Sequence, residues 1–77
     1  MKMPHLNLKL YPGRTPEMKE NLAKAIRKAL AEESGVWQPD DISVSVEEIP
    51  AEEFEAKAKA SFKEEELLLD SKYINFK

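Results

Sequence analysis

Residues 5–10 read HLNLKL and alternate strictly between polar and apolar side chains. In an extended strand, successive side chains point to opposite faces. One face would therefore carry Leu6, Leu8 and Leu10, and the other His5, Asn7 and Lys9. This alternation predicts a half-buried strand. The strand should end before residues 11–14 (YPGR), because proline and glycine together mark a turn.

A helix should follow this turn. Thr15 can accept hydrogen bonds from the free N–H groups of a first helical turn, and Pro16 suits the first helical position. Glu17 complements the positive end of the helix dipole. The apolar side chains then recur at helical spacing, at Met18, Leu22, Ala25, Ile26, Ala29 and Leu30. Gly35 is a typical helix stop, so we expect the helix to end near Ser34.

Residues 42–46 (ISVSV) alternate again and predict a second strand. Two strands joined by a helix form a β-α-β unit, which has a right-handed crossover and parallel strands. Each strand has one polar or small face, which is unusual for a sheet covered by helices on both sides. We therefore expect helices on one face only, with the other face meeting a partner subunit or forming a site.

Residues 51–69 predict a second helix, with an apolar stripe at Phe54, Ala58, Phe62 and Leu69. Residues 73–77 (YINFK) form a short tail, which is either a frayed terminus or an arm laid against a neighbouring subunit. The predicted fold class is α+β, in a single domain over residues 1–77. It comprises a β-α-β unit with parallel strands, a second helix and a short C-terminal tail.

The composition limits the possible partners. The chain has 77 residues, a formal net charge of −3 and no cysteine. So small a domain is marginally stable alone and has no disulfide to reinforce it, so we expect a homo-oligomer. The mixed charges offer no basic patch for nucleic acid. No apolar run approaches the roughly 20 residues of a membrane span, and no signal peptide is evident, so we expect a cytoplasmic protein without a membrane partner.

Few residues of this sequence are candidates for catalysis or for binding a metal or phosphate. The single histidine, His5, is better explained as a strand-face residue than as a metal ligand. Neither Ser43 nor Ser45 lies in a motif of nucleophilic serines. The sequence contains no glycine-rich phosphate loop and no metal-ligand spacing. The remaining candidate is the opening stretch that begins at Pro4.

The motifs from Pro4 to Phe54 together resemble the tautomerase superfamily, the family of 4-oxalocrotonate tautomerase. They are Pro4-His5, the alternating strand, Gly13-Arg14, the helix start Thr15-Pro16-Glu17-Met18-Lys19, the second strand with Glu47-Glu48-Ile49, and Phe54. The longer second helix and tail are similar to the small dimeric branch that tautomerises phenylenolpyruvate. The resemblance implies a tautomerase (MIF-like) fold and a homo-oligomer, with a dimer favoured and a hexamer as the alternative.

The resemblance also implies a reaction and its residues. Family members use an N-terminal proline as general base, without cofactor or metal, on a small 2-oxo acid or its enol. Pro4 would be this base, Arg14 would hold a substrate carboxylate, and Phe54 would form part of the apolar wall. Ser43 stands where the family has a second arginine. A serine can only hydrogen-bond, so we expect a different substrate from the diacid of the namesake enzyme.

Three residues, MKM, precede Pro4 in the sequence. We expect translation to begin at Met3, whose removal would expose the Pro4 nitrogen. If the leader is retained, that nitrogen is an amide and is no base. The protein would then be a non-catalytic oligomeric binding or scaffold protein.

Each site residue has a purely structural alternative too: Pro4 as the start of an edge strand, Arg14 as a solvated or paired cation, and Phe54 as a core side chain.

Overall fold

Two parallel strands form the centre of the fold. A computed structural model describes residues 4–73 of the chain. It places strand β1 at His5–Leu10 and strand β2 at Ser43–Glu48, side by side in one two-stranded sheet. The predicted β-α-β unit with parallel strands is confirmed.

The register of the two strands sorts their side chains by polarity. Leu6 lies opposite Val44, and Leu8 lies opposite Val46, so one face of the sheet is apolar. The intervening positions pair on the other face, as His5 with Ser43, Asn7 with Ser45 and Lys9 with Glu47. The strict alternation in both sequence segments thus produces one apolar and one polar face.

Helix α1 spans Pro16–Ser34, as predicted from its end signals. The backbone N–H of Met18 donates to Thr15 Oγ at 3.1 Å, which caps the first turn. At the other end, Gly35 adopts φ 73°, a left-handed conformation that glycine tolerates without a steric cost. Lys19 anchors the helix to the end of β2 through an ion pair of 3.2 Å with Glu48.

The buried side of α1 is rotated from the predicted stripe. Leu22, Ile26 and Leu30 do face inward, but Met18, Ala25 and Ala29 are exposed, and Ala31 is buried instead. Helix α1 contacts β2, and Ala23 and Arg27 line a surface cavity there together with Val44. A strand surface thus selects the helix face, which the helical spacing alone did not determine.

The second strand begins one residue later than predicted. A 3₁₀ turn at Pro39–Asp41 precedes it, held by the Gln38 backbone N–H donating to Asp41 Oδ2 at 2.9 Å. Ile42 follows this turn and is only 2% exposed. At the far end, the Ile49 N–H donates to the Leu10 carbonyl at 2.9 Å, so pairing continues beyond Val46.

Helix α2 spans Ala51–Ala60, and its predicted extension to residue 69 is wrong. Ser61 ends it, because its hydroxyl donates to the Ala58 carbonyl at 2.6 Å and competes with helical bonding. A separate 3₁₀ turn at Glu64–Glu66 follows. Three adjacent glutamates favour such a break over a continuous helix that ends in uncompensated negative charge. Leu69, predicted to be buried, is 90% exposed.

The core of the described chain is small. Among residues 4–73, the buried apolar side chains are Ala31, Ile42, Ile49 and Ala58. The largest of them, Ile42 and Ile49, flank β2 at its two ends.

Residues 1–3 and 74–77 lie outside the described chain, so the predictions for the leader and for most of the tail are not tested by it. None of the helices in the described part combines the length and apolar composition that crossing a membrane requires.

Candidate active site

The predicted site residues fall into two groups at opposite ends of β1. The first group, here called the proline end, comprises Pro4, His5 and Ser43. Half-buried Pro4 immediately precedes β1, and its carbonyl accepts a hydrogen bond of 3.2 Å from the backbone N–H of Ser43. The parallel register places Ser43 directly beside His5, so the start of β2 brings its hydroxyl to the start of β1.

A continuous row of polar contacts begins at the proline end and crosses the polar face of the sheet. We call this row the polar ladder; it comprises His5, Asn7, Lys9, Ser43, Ser45 and Glu47. His5 Nδ1 lies 2.6 Å from Ser43 Oγ, and His5 Nε2 lies 3.1 Å from Ser45 Oγ. Asn7 Nδ2 donates to Ser45 Oγ at 2.8 Å. Lys9 Nζ donates to Asn7 Oδ1 and lies 3.6 Å from a carboxylate oxygen of Glu47.

The second group, here called the arginine end, comprises Tyr11, Arg14 and Phe54. The rings of Tyr11 and Phe54 meet edge to face, with centroids 5.0 Å apart. Gly13, at φ 121°, turns the chain between Tyr11 and Arg14 through a conformation that favours glycine. Arg14 is exposed and makes no ion pair or hydrogen bond with another residue of the described chain. Its guanidinium is therefore available to an incoming anion.

Helix α2 carries its own charges in pairs. Glu53 accepts from Lys57 at 2.9 Å, and Glu55 pairs with Lys59 at 3.3 Å. The hydrogen bond and then the negative charge of Glu53 raise the pKa of Lys57 above its usual value. These pairs leave the Phe54 side of the helix to its aromatic contact with Tyr11.

The two groups are far apart within one chain. The six residues of β1 separate Pro4 from Tyr11. At about 3.3 Å per residue, the strand alone puts the two ends about 20 Å apart. Parallel strands finish at the same edge of a sheet, so α2 and its Phe54 begin at the arginine end. The fold thus brings Pro4 to Ser43, and Phe54 to the Tyr11–Arg14 segment, but does not bring these two pairs together.

Two features of the site did not emerge from the sequence. Tyr11 appeared only as part of a turn, although it supplies the ring that Phe54 contacts. The polar ladder depends on the register between two distant segments, which neither segment reveals alone. Its available signal was the matching alternation of polar residues in both strands. Among residues 4–73, no group of three or more histidine, aspartate or glutamate side chains is placed to hold a metal ion.

Comparison with known proteins identifies a protein family. The family model "Tautomerase", described as "Tautomerase enzyme", matches residues 4–59, which is more than half of the chain. The match begins at Pro4 and runs through β1, α1 and β2 into the last turn of α2. No curated protein and no solved structure gave a significant match.

Proposed function

This chain belongs to the tautomerase family, and we propose that it is a cofactor-free keto–enol tautomerase that uses Pro4 as its general base. Proteins of this family typically act on small molecules and are oligomeric. The observation that carries the proposal is the position of Pro4. It is the first residue of the family match and immediately precedes β1.

The chemistry requires a free ring nitrogen at Pro4. A free α-amine has a reference pKa of about 7.7–8.0, so a useful fraction is unprotonated near neutral pH. Such an amine can move a proton between the carbon and the oxygen of an enol acid. When residues 1–3 remain attached, the same nitrogen belongs to an amide and its lone pair is delocalised. The proposal therefore includes removal of these three residues.

We propose further that each site is built from two copies of the chain. Within one copy the proline end and the arginine end are about 20 Å apart, too far to hold one small acid between them. Antiparallel association of two copies, as in a twofold dimer, would place the proline end of one beside the arginine end of the other. The fold supports association, because an isolated two-stranded sheet with exposed edges and so few buried side chains is marginal.

The residues of the two ends suggest the substrate class. Arg14 would bind one carboxylate through its fork of donors. Ser43 would hydrogen-bond a second substrate oxygen, where an arginine would bind a second carboxylate. Tyr11 and Phe54 would line the site with aromatic surface. This set favours a 2-oxo acid with one carboxylate and an apolar or aromatic side chain, such as phenylenolpyruvate.

The proposal is tested with two chains that differ only in residues 1–3. One begins at Pro4 and the other retains MKM, so both have the same residues from position 4 onward. The chain with the free proline should convert phenylenolpyruvate to its keto form, and the chain with the blocked nitrogen should not. In the free chain, Pro4→Ala should lower kcat/KM by about 10²-fold, the range for loss of a general base.

Either of two results would overturn the tautomerase assignment: equal turnover by the blocked and free chains, or full activity of the Pro4→Ala variant. Intact-mass analysis of the protein purified from its native cells then establishes which form exists there. A retained leader would favour the non-catalytic binding or scaffold protein instead.

A further inference from the structure

The hydrogen bonds of the polar ladder run in one donor-to-acceptor direction, from Lys9 to Ser43. This direction bears on the proposed reaction. Resting on the proposed function, we infer that the ladder fixes the hydroxyl of Ser43 as a hydrogen-bond donor to a substrate oxygen beside Pro4. Lys9, Asn7, Ser45 and His5 are then positioning residues, which act on the substrate only through Ser43. The inference follows from the donors and acceptors that each side chain has.

The first hydrogen-bond donor of this series is Lys9. Its ammonium group has only donors, so it must face the carbonyl oxygen of the Asn7 amide, as it does. The amide nitrogen of Asn7 is thereby turned toward β2, where it donates to Ser45 Oγ at 2.8 Å. Glu47 holds the Lys9 ammonium from the neighbouring strand at 3.6 Å. The amide of Asn7 therefore has one favoured orientation.

The next hydrogen bond of this series joins Ser45 to His5. Because its oxygen accepts from Asn7, its own proton is free to be directed to another acceptor. His5 Nε2 lies 3.1 Å away and provides one. A neutral imidazole has one N–H and one acceptor nitrogen, so an Nε2 that accepts requires the proton to be on Nδ1. Ser45 Oγ could instead accept from both Asn7 and an Nε2–H, but its own proton would then have no acceptor among the contacts of the described residues. The Nδ1–H tautomer of His5 is therefore the one that satisfies every group of the ladder.

His5 then determines what Ser43 can offer. The Nδ1–H group donates to Ser43 Oγ, 2.6 Å away. The hydroxyl proton of Ser43 is consequently not used by His5. Ser43 is exposed and lies beside Pro4, so this proton can point at a substrate oxygen that gains negative charge as the enolate forms. In the opposite tautomer, Ser43 would donate to His5 and would present only lone pairs to that oxygen.

The tautomer can be measured directly, because His5 is the single histidine of the chain. Imidazole ¹⁵N spectra of the chain beginning at Pro4 should show the ring proton on Nδ1. Ser45→Ala and Asn7→Leu should each shift the population toward Nε2–H, and Ser71→Ala, a matched change in the C-terminal segment, should not. A ring protonated mainly at Nε2 in the unaltered protein would overturn the inference.

Kinetics test the effect on the substrate. Ser43→Ala should lower kcat/KM for phenylenolpyruvate by about tenfold, the typical loss of one hydrogen bond to a charged oxygen. Ser43→Thr keeps the hydroxyl and should retain most of the activity. Ser45→Ala should lower kcat/KM in step with its change of tautomer, while Ser71→Ala leaves it unchanged.

Pro4→Ala separates the two proposals. If Pro4→Ala lowers kcat/KM by about 10²-fold but Ser43→Ala does not affect it, the tautomerase stands and the inference about Ser43 is wrong. If Pro4→Ala has no effect, the general-base mechanism fails, and the ¹⁵N spectra still decide the order of the ladder.

Discussion

The ring of Tyr11 meets the ring of Phe54 edge to face, with the two planes at 87°. Tyr11 directly follows β1 and Phe54 lies in the first half of α2, so this contact joins the first strand to the second helix. Phe54 is half-buried and Tyr11 is 47% exposed, which leaves aromatic surface open at the arginine end. One contact thus serves both the packing of α2 and the apolar wall of the proposed site.

A double-mutant cycle should measure this contact. Tyr11→Leu and Phe54→Leu keep apolar bulk but remove the aromatic pair, so their combined effect on the free energy of unfolding should be non-additive by about 1 kcal/mol. Tyr11→Leu combined with Trp37→Leu is the control, since Trp37 precedes β2 and lies toward the opposite end of the sheet. Additive effects for Tyr11 and Phe54 would contradict the contact. All variants are compared at one protein concentration, because association contributes to stability.

Arg14 should act on substrate binding. Arg14→Ala should raise KM by about 10- to 100-fold through loss of a charge-assisted pair with the carboxylate. Arg14→Lys should recover part of the loss, because lysine keeps the charge but not the two-pronged geometry. Lys24→Ala removes one surface charge, from a pair of exposed side chains with Glu20, and should leave KM unchanged. The measurement is steady-state kinetics on these variants. If the KM of Arg14→Ala equalled that of Lys24→Ala, Arg14 would have only a structural role.

Thr15 should contribute to stability as the cap of α1. Its hydroxyl accepts the Met18 N–H at 3.1 Å, so Thr15→Ala should lower the free energy of unfolding by about 1 kcal/mol. Thr15→Ser keeps the accepting oxygen and should have a much smaller effect. Urea denaturation of the two variants at equal concentration makes the comparison. Equal losses for alanine and serine would mean that the threonine methyl group, and not the cap, stabilises the helix start.

The local elements of the fold followed from the sequence because their signals are local. Thr15 and Gly35 mark the ends of α1 through bonds within a few residues, and alternation needs only one strand. The end of α2 was mispredicted because its spacing of apolar residues continues past Ser61, whereas the hydroxyl of Ser61 ends the helix. Helical spacing cannot report such a competing hydrogen bond.

The candidate site was predictable as a set of residues but not as an arrangement. Pro4, Arg14, Ser43 and Phe54 were identified through the family resemblance. Their division into two distant groups required the direction and register of β1 and β2. The polar ladder likewise exists only once His5 is opposite Ser43 and Asn7 is opposite Ser45.

Subunit mixing should reveal whether each site spans two copies. Pro4→Ala leaves the arginine end intact, and Arg14→Ala leaves the proline end intact. When equal amounts of the two variants exchange subunits at random, about one quarter of the sites should combine an intact Pro4 from one copy with an intact Arg14 from another. At substrate concentrations well below the wild-type KM, where the raised KM of Arg14→Ala lowers its rate, the mixture should therefore recover about a quarter of the wild-type rate, well above either variant alone.

The matched control mixes Pro4→Ala with Ser43→Ala, since both changes affect the proline end of one copy. A copy with an intact Pro4 then always carries the altered Ser43, so exchange creates no intact site. Activity should stay at the mean of the two separate variants. If the Pro4 and Arg14 variants also stayed at their mean after confirmed exchange, both residues would have to act within one chain. That result would overturn the proposal that each site spans two copies.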